Sequence, residues 1–379
     1  MNTLFFKSFF VLTSTLFFFT PILNAGEVDN YFAWNNEIQD SSNEFNTEIN
    51  DEINDALISV NKQWGTPNCE DAAMRIMKKL GSTNYLVVRV GSLNSKLEKW
   101  AQENHEVDKY PRQEDSLSEY AANSIYAPAL KIFGVPTKLD VVVNVNGVYF
   151  GTDKLSHFLG SGFEYYRKYL KYYDENTPTM AEALAVKWGV KMENGIIGLQ
   201  AVGVFSYADL EANFQGLKMA EDFCRADKPK LQLVGKNWTL VKKIDFRDYV
   251  NPNWDESFNR STYTEKRLSS IKKNVKQFHI YERMHSQWVE DFVENYKKNY
   301  IKDYDEKNFL DTSLSSKLLY IAQYFIVNKL DEKKYYEIAN LIDLQLMYEE
   351  YLKFDDGLDL MLQDDVTLEK LSDVDSTHE

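Results

Sequence analysis

Cysteine is nearly absent: Cys69 and Cys224 are the two in 379 residues, too few for a disulfide-dense scaffold or a Cys-rich zinc module. Histidine is almost as scarce, at five, and its spacing matches no strong metal signature. The chain has no Walker loop, dinucleotide fingerprint or Ser-His-Asp order. Positive charge is short as well, with 43 Lys and Arg against 58 Asp and Glu and a net charge of -15. A body this acidic repels phosphate polymers and anionic membranes at long range unless basic residues cluster locally. Nucleic acid is therefore excluded as a partner.

Among the features that are present, the long apolar run comes first. Lys7 precedes Phe9 to Leu23, which ends at Asn24-Ala25, a site suited to cleavage. This is the pattern of a signal peptide over residues 1–25. A membrane span needs roughly 20 apolar residues, and Thr13, Ser14, Thr20 and Pro21 interrupt the run. The expectation is a periplasmic or secreted protein with no transmembrane segment after cleavage, of net charge -16 once Lys7 is lost. In an oxidising compartment Cys69 and Cys224 either pair or remain two buried thiols. Sequence leaves both open, since a bridge needs Cα atoms within roughly 7 Å.

The periodicity predicts a mainly α protein with minor β: a helical bundle, one or two short hairpins and a C-terminal helical extension. A helical core domain is expected over residues 26–225. Within it Phe45, Ile49, Ile53, Leu57 and Val60 form an amphipathic stripe, and a helix ends at Gly81. Tyr85 to Val90 reads as a short strand, with helical texture from Ser92 to Glu103 and from Leu117 to Phe133. Asn146-Gly147 inside LDVVVNVNGVYF is a strong hairpin signal. Three helices follow, at about 153–173, 179–193 and 207–223, joined by a Gly-rich link over 194–205. A second hairpin turning at Gly235-Lys236-Asn237 and a linker occupy 226–262. The segment from Arg247 to Glu256 reads as an exposed polar and aromatic loop. Residues 263–354 carry two to four long helices, and 355–379 form an acidic tail. His279 and His285 lie on the helical extension as packing or surface residues.

One cluster carries chemistry. Asp153 and His157 sit four apart at a helix start, hence on one face, with Lys154 beside them and Gly160 on the same stripe. Asp209, Asn213 and Gly216 repeat the arrangement on a later helix. A bland reading exists for each: Thr152 or Asp153 as a helix cap, and Ser206-Tyr-Ala-Asp209 as a capping box. Capping does not explain a His and an Asn in the next turn of otherwise apolar helices.

The residues Asp153-Lys154-x-x-His157-Phe158, then Glu193, then Asp209-x-x-x-Asn213-x-x-Gly216 sixteen positions on, resemble the pattern of VanZ-like and related small bacterial envelope proteins. The resemblance covers about residues 151–217. It implies an envelope protein linked with glycopeptide resistance and supplies no established reaction. Two departures stand out. Those relatives are membrane-embedded, whereas these helices carry Tyr165, Tyr166, Arg167, Lys168, Lys171 and Glu182, and an Arg often found between the Glu and the Asp is missing.

The expectation for function is an exported cell-envelope protein whose polar site between helices binds a small polar group or a cation. In that site Glu193, Asp209 and His157 are the reactive groups and Asp153, Lys154 and Asn213 the binding groups. No cofactor is required, and a divalent cation is the one such a site could accept. A cell-wall or envelope component is the expected partner. The alternative is a lysozyme-like peptidoglycan hydrolase with Glu193 as general acid, and sequence does not decide whether the protein is an enzyme.

Overall fold

The structure is a computed structural model that describes residues 27–300, apart from 63–64, 66, 82–94, 113, 128–130, 133–134, 137–138, 196–197, 201, 260, 281–282 and 284–285. The expected signal peptide, the strand expected at Tyr85 to Val90, His285, and the helical extension past 300 and acidic tail expected from sequence lie outside the described residues.

The described chain is mainly α with minor β. After the one-turn helix α1 (Asn30–Ala33) comes α2 (Ser42–Asn61), which buries the expected stripe of Phe45, Ile49, Ile53, Leu57 and Val60. α3 (Cys69–Gly81) follows, then α4 (Lys96–Glu103), where Ser95 caps the first turn by accepting from Glu98 N at 3.1 Å. The helix expected to run from Leu117 to Phe133 stops much earlier, as α5 (Leu117–Ala122). The cause is a long-range contact: Ile125 N bonds the buried Asp29 Oδ2 at 2.7 Å instead of continuing the helical ladder.

Strand β1 (Lys109–Tyr110) pairs with β4 (Val142–Val145), which forms the expected hairpin with β5 (Val148–Gly151) around Asn146 and Gly147. Both turn residues have positive φ, 56° and 83°, the requirement of a type I′ turn that Asn-Gly meets at little cost. Short strands β2 (Lys131–Ile132) and β3 (Val135–Pro136) make a separate pair.

The hairpin delivers the chain into a continuous helical segment built of α6 (Asp153–Ser156), a π-turn (His157–Ser161) and α7 (Gly162–Tyr173). α8 (Pro178–Glu193) and α9 (Tyr207–Cys224) pack on it, close to their expected bounds. β6 (Val204–Phe205) pairs with β9 (Thr262–Tyr263), and β7 (Leu231–Val234) with β8 (Asn237–Leu240) forms the second hairpin.

The crossing of α7 with α9 is set by glycine. A Cβ on Gly162 would meet the Gly216 backbone at 2.8 Å, and one on Gly216 would overlap the Phe158 carbonyl. Sequence spacing pointed to Gly160 as the partner of Gly216. The π-turn widens the helix after His157, so Gly162 takes the crossing, while Gly160 faces Gly81 of α3, on which a Cβ would meet the Gly160 Cα at 2.7 Å.

Cys69 at the start of α3 and Cys224 at the end of α9 are disulfide-bonded, with Cα atoms 5.8 Å apart and 155 positions between them. Through residue 300 the C-terminal chain packs against the N-terminal part. Asn274 on α10 (Glu265–Gln277) donates to the carbonyls of Ile125 and Ala127, each at 2.8 Å. Tyr296, on the helix Gln287–Tyr300, is fully buried.

Candidate functional site

Lys154 is the centre of the site and is completely buried. Its Nζ donates to Asp153 Oδ2 at 2.6 Å and to Glu256 Oε1 at 2.5 Å, and pairs by charge with Asp209 Oδ1 at 2.7 Å. Burial alone would lower the Lys154 pKa, yet the three negative charges outweigh it and hold the ammonium well above its usual value.

His157 opens the π-turn and faces the same carboxylate of α9: Nε2 is 3.1 Å from Asp209 Oδ2 and Nδ1 is 3.0 Å from Asn213 Oδ1. Burial lowers the His157 pKa despite the neighbouring Asp209, so the ring is neutral near pH 7. Asn213 Oδ1 is in hydrogen-bond range of Nδ1, and which ring nitrogen donates depends on the tautomer. Burial would raise the Asp209 pKa, but His157 and Lys154 lower it, and the group stays ionised. In the tautomer with its proton on Nε2, the ring donates to Asp209 Oδ2 across 3.1 Å.

The capping readings resolve differently for the two helices. Thr152 at the start of α6 makes no side-chain cap bond, and Asp153 is held by Lys154, so neither acts as a cap. Ser206 does cap α9, its Oγ accepting from Asp209 N at 3.2 Å. The return half of the capping box is not made by Asp209. Ser206 N donates to Glu193 Oε1 at 3.2 Å, which frees the Asp209 carboxylate for Lys154 and His157. Ser206 Oγ in turn donates to Glu256 Oε1 at 3.0 Å, tying α8, α9 and the Glu256 loop together.

Glu193, the last residue of α8, is only 3 % exposed. A Cβ at Gly198 would overlap its carboxylate, so the Gly-rich link is glycine where it folds over that side chain. Burial, then the Asp209 charge, push the Glu193 pKa well above the normal carboxylate range.

Two groups escaped the sequence reading. The segment expected as an exposed loop instead enters the core after two 3-10 turns, Phe246–Asp248 and Pro252–Trp254. Arg247 and Asp248 stay outside, while Trp254, Asp255 and Glu256 are buried. Asp255 accepts from Asn30 Nδ2, Trp34 Nε1 and the Tyr296 hydroxyl at 2.8, 3.2 and 2.8 Å, which pins the loop and aims Glu256 at Lys154. The second group is Glu27, also buried, whose pKa is raised well above normal by burial, then by Glu256 and Asp209. The aromatic run before Asp255 was the available signal for the loop. Glu27 gave none.

On the far side of α6, Ser156 accepts from Ser95 N at 2.6 Å and donates a very short bond to Glu98. Gln102 bridges Asp140 Oδ1 at 2.9 Å and Thr152 Oγ1 at 3.1 Å. This second layer fixes α6 against α4.

Negative charge outnumbers the one buried cation. Asp153 Oδ1, Asp209 Oδ1 and Glu256 Oε2 are buried without a hydrogen-bond partner among the described residues, a costly state for a carboxylate oxygen. Asp153, His157 and Asp209 bring donor atoms within 4.8 Å of one another, a set that could hold a metal ion. The six site residues expected from sequence, Asp153, Lys154, His157, Glu193, Asp209 and Asn213, converge on one seam between α6, α8 and α9. Among the described residues no helix is long and apolar enough to cross a membrane. Comparison with protein-family models, with curated proteins and with solved structures finds no match for this chain.

Proposed function

We propose that this is an exported cell-envelope protein that binds a divalent cation through Asp153, His157 and Asp209. The observation that carries the reading is the convergence of Asp153, His157 and Asp209, whose donor atoms lie within 4.8 Å of one another. Lys154 uses Asp153 Oδ2 and Asp209 Oδ1, which leaves Asp153 Oδ1, Asp209 Oδ2 and His157 Nε2 as the ligand atoms. One imidazole with two carboxylates suits zinc or manganese better than calcium, which prefers six to eight oxygens. Asn213 Oδ1, 3.0 Å from Nδ1, would accept the ring N–H when Nε2 ligates the cation, as second-layer partners of metal-bound histidines do.

Export is supported by the apolar leader Phe9 to Leu23 and by the Cys69–Cys224 bridge, which persists in oxidising compartments. Kinship with VanZ-like envelope proteins belongs to the same proposal: the residues of the shared pattern meet in one site, with Gly216 at the helix crossing behind them. The peptidoglycan hydrolase reading is less well supported. A general acid must reach a glycosidic oxygen, and Glu193 is 3 % exposed and engaged with Ser206 N.

The test is titration of the chelator-treated mature protein with Mn2+ and Zn2+ by calorimetry, paired with melting curves. One saturable site that raises the melting temperature and is lost in Asp209→Asn and His157→Gln is the expected result. Equal binding by wild type and Asp209→Asn would overturn the assignment.

A further inference from the structure

The β7–β8 hairpin differs in charge from the rest of the molecule. From Lys228 to Lys243 the chain carries five lysines, at 228, 230, 236, 242 and 243, and no acid, within a protein of net charge -15. Lys230 is buried and turned inward, 3.0 Å from Asp222 Oδ2 and 2.6 Å from the Tyr249 hydroxyl. The other four are exposed.

Apolar exposure concentrates at the same place. Of the five large apolar side chains that stand exposed among the described residues, Leu233, Val234 and Val241 are on this hairpin, at 46, 59 and 46 %. Pairing places Val234 opposite Asn237 and Leu233 opposite Trp238, so Val234 sits at the turn and Leu233 is one residue behind it. The base is firmly held: Leu231 is buried, Asn61 of α2 exchanges hydrogen bonds with the Trp238 backbone at 2.9 Å each way, and Trp238 Nε1 donates to Pro67 O at 3.0 Å. The hairpin is thus a braced arm with Leu233, Val234 and Lys236 at its turn and Val241, Lys242 and Lys243 at its base, where Val241 N bonds Lys230 O at 2.9 Å.

We propose that this hairpin docks the protein on an anionic lipid bilayer, with Leu233 and Val234 entering the headgroup boundary and Lys236, Lys242 and Lys243 on the lipid phosphates. The pairing of apolar tip and basic flank fits that surface: the apolar residues gain from the bilayer boundary and the lysines from its negative potential. Net charge does not prevent it. Charges beyond the Debye length of about 8 Å at physiological ionic strength are largely screened, and residues 228–243 carry no acid, so at contact the hairpin's own lysines govern.

Flotation of the full mature chain with vesicles tests this, comparing phosphatidylcholine alone with phosphatidylcholine mixed with phosphatidylglycerol, at low and high salt. Binding to the anionic vesicles is expected. Reversal of three charges, Lys236→Glu with Lys242→Glu and Lys243→Glu, should weaken it by at least about tenfold, and Leu233→Ser with Val234→Ser should weaken it as well. All five are exposed side chains, so melting temperatures should match wild type, and the milder Lys242→Gln with Lys243→Gln provides a second reading of the charge effect. Absence of flotation, or flotation unchanged by charge reversal, would overturn the proposal. So would binding to soluble polyphosphate that matches vesicle binding and ignores Leu233→Ser with Val234→Ser, which identifies a polyanion as the partner.

Discussion

Lys154 Nζ and Glu256 Oε1 lie 2.5 Å apart although 102 positions separate them in sequence. The pair joins the start of α6 to a loop that closes over it, and Asp153 and Asp209 complete the set around the same ammonium. Removing one partner of a buried ion cluster costs about 3–5 kcal/mol, because the remaining charges are left uncompensated. Lys154→Met is therefore expected to lose stability of that order in urea unfolding. The loss should be larger at pH 8 than at pH 5, since at acid pH the abandoned carboxylates take up protons and relieve the imbalance. An equal loss at both pH values would contradict this picture.

The pH dependence of the unliganded protein follows from the same cluster. Burial pushes Asp153 up to about 6 and Glu256 up to about 7, against the pull of Lys154, while Asp29 is raised to about 6, again chiefly by burial. Unfolded carboxyls titrate near 4. Between roughly pH 4 and 7 the folded state thus holds more protons than the unfolded one, and stability falls as pH rises through that window. A bound divalent cation expels protons from the site. Affinity for Mn2+ should therefore climb from pH 5 to pH 8, and the stability deficit at pH 8 should shrink on saturation. Calorimetry and melting curves at the two pH values check both signs.

How far the site could be read from sequence depended on whether its parts were local. Asp153, Lys154 and His157 share one helix start, and Asp209 with Asn213 another, so helical spacing was enough to place them on facing stripes. Glu256 and Glu27 come from irregular chain, where no periodicity reports direction, and only long-range packing through Asp255 brings Glu256 inward. The π-turn was invisible for a similar reason: an added residue per turn leaves no compositional mark, yet it moved the helix crossing from Gly160 to Gly162. The hairpins were legible because Asn146-Gly147 and Gly235 satisfy a local backbone demand, all three having positive φ. The overlong helix after Leu117 failed where Asp29, far away in sequence, competed for the Ile125 amide.

Gly216→Ala tests the crossing directly. Its Cβ would overlap the Phe158 carbonyl and press on Gly162, and both contacts are backbone, so neither can rotate away. Overpacking of this kind costs typically about 1–3 kcal/mol. Because the displaced segment carries His157, Gly216→Ala should also weaken Mn2+ binding, whereas an alanine at Gly147, where a Cβ meets nothing within 4 Å, should cost only the strain of its positive φ and leave the site intact.

The disulfide joins the first residue of α3 to the last of α9, closing a loop of 155 positions that contains the whole hairpin, α6 to α8 and most of the site. Loop-closure entropy for that length is about 5 kcal/mol at most, and removal of native bridges typically costs about 2–5 kcal/mol. Cys69→Ser with Cys224→Ser should therefore lower the urea midpoint substantially, with the same shift produced in wild type by reductant and none by reductant in the variant. Arg225, the residue after Cys224, sits over the Tyr169 and Tyr173 rings at 5.7 and 3.8 Å, and the groups paired with Lys154 are Asp153, Asp209 and Glu256. Reduced protein that remains folded at low urea should then bind Mn2+ with unchanged affinity. A parallel loss of binding would show that the bridge positions the site as well as stabilising the fold.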